Sequence, residues 1–307
     1  MDWMGHANKE TSTGNIFRGC RAWNNGDDGF DLINCYASYI IEYCWSFRNG
    51  YKPHSIESSG GNGAGFKSGG YGMGDIKKVP NPIPQHTVRY CLAYYNRQQG
   101  FYSNHHLGGL IFENNTAYKN PSNYNMLNRK SSMRLLMYLD MDILLKNNLS
   151  LSPRNSGGFP QHLINVDNTL SEIKNNSFAP NDLNLSESDF ESLNEQELMG
   201  SRKSDGSLPD INFLRLTNHA NFRFSGMGCF INEEAVDYSW IQEPAIVLEN
   251  GVARIVGEDS KSFNKFYVNG EEVSIENGIV DLTSMSGELN LKAISENGAV
   301  TTLIINK

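Results

Sequence analysis

The 307-residue chain lacks several features that would assign it to common classes of protein. It has no run of Lys and Arg and carries a formal net charge of -8, so the basic surface typical of nucleic-acid binding is missing. No apolar stretch approaches the roughly 18 residues that a membrane-spanning helix needs. The N-terminal sequence MDWMGHANKETSTG contains no apolar signal core. We therefore expect neither a nucleic-acid partner nor a membrane span, and any targeting segment would lie upstream of this sequence.

Cysteine is scarce and irregularly placed. The five cysteines are an odd number without CxxC spacing, which argues against a zinc site and against a disulfide framework. Cysteine is often buried as a free thiol, and we expect that role here. The residues concerned are Cys20, Cys35, Cys44, Cys91 and Cys229.

Long amphipathic helical patterns are also scarce, and a repeat of about 24 residues is present instead. It is visible in IFRGCRAWNN, IIEYCWSFRN, TVRYCLAYYN and LIFENNTAYKN, and more weakly in LLKNNLSLS and EIKNNSFAPN. The aligned Cys or Asn positions of the first four copies are 24, 47 and 24 residues apart, and we interpret the interval of 47 as two repeats. The alignment places six residues at one position: Cys20, Cys44, Cys91, Asn115, Asn148 and Asn176.

A unit of this length, built of short apolar strands and Asn or Gly corners, must stack on its neighbours to bury its apolar face. This pattern predicts an all-β, right-handed parallel β-helix. An interior Asn column can form hydrogen bonds along the stack, and Cys can fill the same position as a small apolar residue. A leucine-rich repeat would need a Leu-dominated consensus, and propeller units are nearer 40 residues. We expect helix only locally, around Glu187 to Gly200.

From about residue 240 the sequence alternates between strand-like segments and Asn-Gly turns, at positions 250, 269, 277 and 297. Asn-Gly between alternating apolar residues is the strongest short signal for a β-hairpin. We therefore predict a β-helix domain over residues 1–237, with a capping segment over about 208–237. A small antiparallel β-domain follows over residues 238–307.

The segment NNGDDGFDLINC places three carboxylates, Asp27, Asp28 and Asp31, within five residues. With Gly26 and Gly29 between them, several hard oxygens can point at one spot, which suits Ca²⁺. Mg²⁺ is less suitable because it tolerates irregular geometry poorly. The alternative is that these are solvated acids of an ordinary turn.

A Gly-rich loop, SSGGNGAGFKSGGYGMG, surrounds Lys67 but lacks the GK[ST] pattern of a phosphate-binding loop. GFD, GFK and GFY recur 36 and 35 residues apart, so Asp31, Lys67 and Tyr102 are predicted to project from one face. A cation near Lys67 would lower its pKa and leave a neutral amine to act as a base. The alternative is a solvated surface charge.

The segment GFYSNHHLGG adds Asn104, His105 and His106, and NYNMLNR adds Arg129. Adjacent side chains on a strand point to opposite faces, so only one of the two histidines can line a given site. We assign Tyr102, Asn104, His105 and Arg129 to substrate contact. A purely structural role at corners of the stack is an equally good explanation.

Three of these motifs, GNIFRGCRAWNNGDDGFDLI, GNGAGFKSGG and CLAYYNRQQGFYSNHHLGGLIFENNTAYKNPSNYN, occur in an order and spacing that resemble polysaccharide lyase family 9. The resemblance covers roughly residues 11–216 and implies a pectate or rhamnogalacturonan lyase on a β-helix. It implies Ca²⁺ held by Asp27, Asp28 and Asp31, and Lys67 as the catalytic base. The family has a further calcium aspartate about one repeat upstream, for which Asp2 is the candidate, and its β-helix begins well before this sequence does.

The resemblance implies β-elimination on an acidic plant cell-wall polysaccharide, homogalacturonan or rhamnogalacturonan. A glycoside hydrolase using Asp27 and Asp28 on the same fold, and a carbohydrate-binding β-helix without activity, remain the alternatives. The C-terminal strands resemble sorting domains of secreted proteins of the Bacteroidetes type, which implies secretion or display on the cell surface. We expect a monomer.

Overall fold

The repeated apolar segments of the sequence form short strands separated by tight corners. The structure is a computed structural model that describes residues 14–71, 79–127, 143–154, 161–204, 206–231, 245–249, 251–256, 263–276, 278–295 and 300–307. Within these residues, the only α-helix is α1 (Asn218–Arg223). No helix among them is long and apolar enough to cross a membrane. The helix predicted around Glu187 to Gly200 is two short 3₁₀ turns, Glu187–Asp189 and Glu195–Met199.

Sixteen of the described strands form successive rungs of a coil, with three strands in each complete rung. They are β1 (Asn15–Arg18), β2 (Arg21–Trp23), β3 (Phe30–Asp31), β4 (Tyr39–Glu42), β5 (Trp45–Phe47), β6 (Phe66–Lys67), β7 (His86–Arg89), β8 (Leu92–Tyr94), β9 (Phe101–Tyr102), β10 (Leu110–Glu113), β11 (Thr116–Tyr118), β12 (Ser122–Asn125), β13 (Ile143–Lys146), β14 (Leu149–Leu151), β15 (Gln161–Ile164) and β16 (Glu172–Lys174).

Equivalent strands of successive rungs pair in parallel and build three sheets along the stack. The first sheet has the order β1-β4-β7-β10-β13-β16, the second has β2-β5-β8-β11-β14, and the third has β3-β6-β9-β12-β15. Strand pairing between rungs with side chains stacked inside is the architecture of the right-handed parallel β-helix, and the predicted fold class is confirmed.

The interpretation of the 47-residue interval as two rungs is wrong. Ile40 of β4 pairs directly with Thr87 of β7, so the interval is a single rung. This rung carries long connections before and after β6. Surface connections can be long at small entropic cost without disturbing the pairing of strands. This rung can therefore be 47 residues long while β4 and β7 keep the same register as the other rungs.

A column of buried hydrogen bonds joins the rungs at the predicted Cys and Asn position. The backbone N–H of Cys91 donates to Asn115 Oδ1 at 3.0 Å, and that of Asn115 donates to Asn148 Oδ1 at 2.9 Å. Asn148 continues the ladder to Asn176, also at 2.9 Å. Cys44 occupies the same place upstream, where its Sγ accepts from the Cys20 N–H at 3.3 Å. Cys and Asn are therefore interchangeable acceptors in one ladder.

A second asparagine ladder runs along the next corner of the coil. Asn49 Oδ1 accepts from the Asn25 N–H at 3.2 Å, and Asn96 Oδ1 accepts from both the backbone and the side chain of Asn49. Asn120 Oδ1 does the same for Asn96. These are the asparagines that follow the first position by four or five residues in the repeat.

The residue before each member of the first ladder has a left-handed backbone. Tyr43, Tyr90, Asn114 and Asn147 have φ between 51° and 57°. This conformation is strained for residues other than Gly, Asn and Asp. At Tyr43 and Tyr90 the rings stack with centroids 4.9 Å apart, so packing between rungs helps to stabilise the strained corners.

All five cysteines are free, four of them buried, as expected.

Two histidines are also buried in the core of the coil. His86 and His106 are fully buried, with ring centroids 4.7 Å apart. His106 Nδ1 accepts from the Gly70 N–H at 3.3 Å, and its Nε2 lies 2.7 Å from Pro84 O, which identifies the neutral Nε2–H tautomer. Burial lowers the pKa of His106 to about 4.

The C-terminal strands form a separate antiparallel unit. They are β17 (Ala245–Glu249), β18 (Val252–Val256), β19 (Phe263–Val268), β20 (Glu271–Val273), β21 (Ile279–Asp281), β22 (Glu288–Ser295) and β23 (Val300–Asn306). Two sheets, β17-β18-β21 and β20-β19-β22-β23, enclose a core that includes Phe266, Leu282 and Leu291. Asn269 and Gly270, both with positive φ, join β19 and β20 in one of the predicted hairpins.

By compactness the chain divides into Met1–Met199 with Ile211–Ile231, and Gly200–Asp210 with Asn232–Lys307. The boundary predicted near residue 237 lies outside the described residues and stays a prediction.

We predict that Asn148→Ala lowers the free energy of unfolding by roughly 2 to 4 kcal/mol, because the Asn115 N–H and the Phe112 carbonyl, which Asn148 Nδ2 reaches at 2.8 Å, lose buried partners. Asn148→Cys should cost less, because Cys serves as the acceptor in the upstream rungs. Urea unfolding of both variants measures the difference, and equal losses would contradict the ladder.

We also predict that stability falls as pH falls from about 6.5 towards 4. Because the folded-state pKa of His106 lies below its unfolded value, stability is fully present above the unfolded pKa and is lost as protonation begins. The loss from His106 should reach roughly 3 kcal/mol. Urea unfolding across this pH range measures it, and His106→Gln is the comparison. An unchanged pH slope in that variant would exclude His106 as the source.

Candidate active site

The three predicted site residues Asp31, Lys67 and Tyr102 lie side by side on the third sheet. Asp31 of β3 pairs with Lys67 of β6, and Lys67 pairs with Tyr102 of β9. Strands that pair in this way are about 4.8 Å apart, so the three side chains form one column along the stack. The prediction that they share a face is confirmed.

Glycine and phenylalanine fix the place of this column at each rung. A Cβ on Gly29 would lie 2.8 Å from Gly65 O, and one on Gly65 would lie 2.6 Å from Gly100 O. Only glycine allows the corners to approach this closely. The next residue at each corner points inward, where Phe30, Phe66 and Phe101 stack with centroids 5.0 and 4.9 Å apart. The Gly-Phe pair thus sets the register of the residue that follows it.

Each aspartate of the acidic turn uses one oxygen to hold backbone. Asp27 Oδ1 accepts from the Asn62 N–H at 2.6 Å, and Asp28 Oδ1 accepts from the Ala64 N–H at 2.7 Å, so both tie the turn to the Gly-rich loop of the next rung. Asp31 Oδ1 accepts from the Ile33 N–H at 2.8 Å. The second oxygens of Asp28 and Asp31 turn towards Lys67.

Lys67 is almost fully buried between these two carboxylates. Its Nζ lies 2.9 Å from Asp31 Oδ2 and 3.1 Å from Asp28 Oδ2. The contact with Asp31 is a hydrogen bond. Burial alone would lower the pKa of Lys67, but Asp31 and Asp28 outweigh burial and raise it to about 12. In this arrangement the amine is charged, whereas a base must be neutral.

The two carboxylates are themselves affected by burial. Desolvation raises the pKa of Asp28 and of Asp31, and the nearby Lys67 ammonium opposes that rise. Asp28 Oδ2 is buried, and its ion pair with Lys67 at 3.1 Å is the contact that compensates its charge. Two buried acids and one amine leave a net negative charge, which favours an additional cation.

The donor chemistry fits calcium, since carboxylate oxygens are its preferred ligands. Asp28 Oδ2 and Asp31 Oδ2, which both face Lys67, are the oxygens that such an ion would use. Within the described residues, no three His, Cys, Asp or Glu side chains are grouped closely enough to hold a metal as they stand. Asp2, the further candidate ligand, lies outside the described residues.

A cavity of about 390 Å³ opens beside the column and is polar along much of its wall. Its lining includes Asp28 and Lys67, together with three of the residues assigned to substrate contact: Tyr102, Asn104 and His105. The fourth, Arg129, lies outside the described residues. A cavity of this size with a few convergent polar groups is typical of a ligand site.

His105 and His106 have different surroundings, as predicted, although they lie in a turn after β9 and not on a strand, so strand alternation is not the reason. His105 lines the cavity, and His106 is buried in the core. Asn104 also has a structural bond, because its Nδ2 donates to Gly69 O at 2.5 Å. Asn104 therefore both lines the cavity and holds the segment that follows Lys67.

Sequence reasoning missed Asn62, Gln98 and Gln99, which also line the cavity. A signal was available in the Gly-Phe alignment. Gln98 and Gln99 precede Gly100 by the same distance as Asp27 and Asp28 precede Gly29. The position of Gln98 and Gln99 in the repeat, and not their residue type, therefore indicated that they line the cavity.

Comparison with known proteins identifies relatives of both parts of the chain. A family model described as "Pel9A-like, right handed beta helix region" matches residues 2–148, and another, described as "Rhamnogalacturonan lyase-like, C-terminal", matches residues 167–302. The second match covers most of the C-terminal strands, and the resemblance to sorting domains gains no support from it.

Pectate lyase L of Dickeya chrysanthemi is 35% identical over 227 residues, covering 74% of this chain and 46% of the relative. Pectate lyase L of Dickeya dadantii is 34% identical over 226 residues, with the same coverage. The chain therefore spans about half the length of these relatives.

Two solved structures share the fold. One titled "Rhamnogalacturonan lyase" has a TM-score of 0.62 and 52% identity, covering 71% of this chain and 51% of that one. Pectate lyase Pel9A has a TM-score of 0.51 and 34% identity, covering 67% and 44%. The resemblance to polysaccharide lyase family 9 is confirmed by these matches: residues 2–148 are similar to a Pel9A-like right-handed β-helix, and residues 167–302 are similar to the C-terminal region of rhamnogalacturonan lyase-like proteins.

Proposed function

We propose that this chain carries the active site of a calcium-dependent lyase that cleaves pectic polysaccharides by β-elimination. The observation that supports this most directly is the burial of Lys67 between Asp28 and Asp31 at the wall of a polar cavity. A glycoside hydrolase would need two carboxylates and no lysine. The relatives that share the fold are named pectate lyase and rhamnogalacturonan lyase.

Asp27, Asp28 and Asp31 would hold the calcium ion, with Asp2 as a further ligand. When bound, calcium would attract the uronate carboxylate and make the adjacent C5 proton more acidic. Asp28 and Asp31 would compensate the Lys67 ammonium less if they also held a divalent cation, and the pKa of Lys67 would then be lower.

Neutral Lys67 would remove the C5 proton of the bound uronate. The electrons of that C–H bond form a double bond between C4 and C5, and the 4-linked sugar leaves. The product is a 4,5-unsaturated uronate, and no water is consumed. The cavity wall beside Lys67 is mostly amide and phenol, from Asn62, Gln98, Gln99, Tyr102 and Asn104, which can hold sugar hydroxyls in place.

The proposed substrate is homogalacturonan or rhamnogalacturonan. Both are cell-wall polymers too large to enter a cell, so the proposed location is outside the cell or at its surface. The negative net charge does not exclude a polyanionic substrate, because a bound cation dominates the field around it.

The assay is incubation with polygalacturonate or rhamnogalacturonan and Ca²⁺ at alkaline pH, following the ultraviolet absorbance of the unsaturated uronate. A lyase produces this absorbance. New reducing ends without it would mean hydrolysis, and binding without either signal would mean a carbohydrate-binding β-helix. Either of those two results would overturn the proposal.

Lys67→Arg is expected to lower kcat by roughly 10²- to 10⁴-fold. Arginine keeps the charge between Asp28 and Asp31 but cannot lose its proton, so the variant separates the base from the ion pair. Initial rates of absorbance increase measure the effect, with circular dichroism to check folding. Exposed Lys174 provides the control, since Lys174→Arg should leave the rate unchanged. Full turnover by Lys67→Arg would exclude Lys67 as the base.

Asp31→Asn is expected to weaken calcium binding by roughly tenfold or more, since calcium affinity follows the number of charged ligands. Isothermal titration calorimetry with CaCl₂ measures this without reference to activity. Asp167→Asn is a matched control, because Asp167 is an exposed acid whose side chain accepts hydrogen bonds from nearby Thr169. Equal calcium affinity in wild type and Asp31→Asn would contradict the proposed ligand set.

A further inference from the structure

Tyr102 and His105 form a pair at the cavity wall that the proposed mechanism does not yet use. Tyr102 Oη lies 3.2 Å from His105 Nε2, and the two rings meet nearly edge to face at 82°. Both side chains are partly exposed, and both line the same cavity as Lys67. A phenol held by an imidazole beside a proposed base is an arrangement that can transfer a proton.

The functional atoms of Lys67 and Tyr102 diverge although their strands are paired. Lys67 Nζ turns back to Asp28 and Asp31, in the preceding rung. Tyr102 Oη turns towards His105, three residues further along its own rung. A sugar ring can therefore lie with the amine at one side and the phenol at the other. In β-elimination a proton leaves C5 while the oxygen on C4 receives one, and two separated groups can serve these two positions.

Four titratable side chains line the described cavity wall: Asp28, Lys67, Tyr102 and His105. The remaining polar residues of the wall are the amides Asn62, Gln98, Gln99 and Asn104. Amides do not release protons. Asp28 is a proposed calcium ligand and Lys67 is the proposed base. Tyr102 and its partner His105 are the titratable groups that remain.

We propose that Tyr102 is the general acid that protonates the leaving sugar, and that His105 positions its hydroxyl. This inference rests on the proposed lyase function. With its proton on Nε2, His105 donates to Tyr102 Oη, and the phenolic proton is directed to the substrate. A phenol, with a usual pKa near 10, is a stronger acid than the sugar alcohol that is released, so the transfer is downhill.

The step balances without any further reactant. Lys67 takes the C5 proton, the C–H electrons become the C4=C5 bond, and the C4–O bond breaks with its electron pair on oxygen. The Tyr102 proton moves to that oxygen and releases it as an alcohol. The phenolate that remains accepts a hydrogen bond from His105 Nε2–H. After the products leave, solvent returns a proton to Tyr102 and removes one from Lys67.

The test compares two substrates in Tyr102→Phe. One is the pectic polymer, whose leaving group is a sugar alcohol. The other is a galacturonide carrying 4-nitrophenol at O4, whose leaving group departs as a stable anion and needs no proton. We expect Tyr102→Phe to lower kcat on the polymer by roughly 10²-fold or more, with little change in KM. On the nitrophenyl substrate the loss should be less than about 5-fold.

Lys67→Arg should lose activity on both substrates, because the C5 proton must be removed in either case. His105→Gln, which keeps a donor near Tyr102, should give a smaller loss than Tyr102→Phe on the polymer and none on the nitrophenyl substrate. Tyr43→Phe is the control for the loss of a phenol. Tyr43 lies at the corner after β4 and does not line the cavity, so this variant should match wild type.

Equal losses of Tyr102→Phe on both substrates, or a change confined to KM, would overturn the assignment and leave Tyr102 a binding residue. The proposed function fails in a different way. If wild type releases no unsaturated product from the polymer and no nitrophenol from the second substrate, then the chain is not a lyase and the general acid has no reaction to serve.

Discussion

The hydrogen bonds that pass from one rung to the next inside the coil are the constraint on which the rest of this structure depends. Asn115 and Asn148 each accept from the backbone of the rung before them and donate to the next part of the stack. A buried amide without such a partner is costly, so each rung is held in a single register. Because the rungs cannot slip, residues that are 35 or 36 apart in the chain become neighbours at the surface.

The site uses that register to place charges where water is scarce. Lys67 can be buried because Asp28 and Asp31 lie beside it. Lys67 in turn compensates both acids, together with the Ala64 N–H of the adjacent rung at Asp28 and the Ile33 N–H at Asp31. The charge balance of Lys67, Asp28 and Asp31 would therefore change if a further cation were added. The carboxylates that keep Lys67 protonated are also the proposed calcium ligands, so in the proposed mechanism metal binding and the protonation of Lys67 would be linked.

Much of the fold could be predicted from sequence because the repeat is explicit. Alignment of Cys20 with Asn115 and its successors identified the interior ladder, and the Gly-Phe spacing placed Asp31, Lys67 and Tyr102 in one column. The interval of 47 residues was misread because only strand pairing shows that Ile40 lies opposite Thr87. Surface connections vary in length at small cost, so length alone is a poor count of rungs.

Sequence by itself determined the class of fold, the stacking position of each motif and the residue types available to the site. The tertiary structure alone decided how those residues are used. It showed that Lys67 forms an ion pair with two aspartates, that His105 lies at the cavity while His106 is in the core, and that Gln98 and Gln99 complete the wall. The physical reason is that burial and charge pairing arise between rungs. They depend on distances between side chains that are far apart in the chain, which a local pattern does not contain.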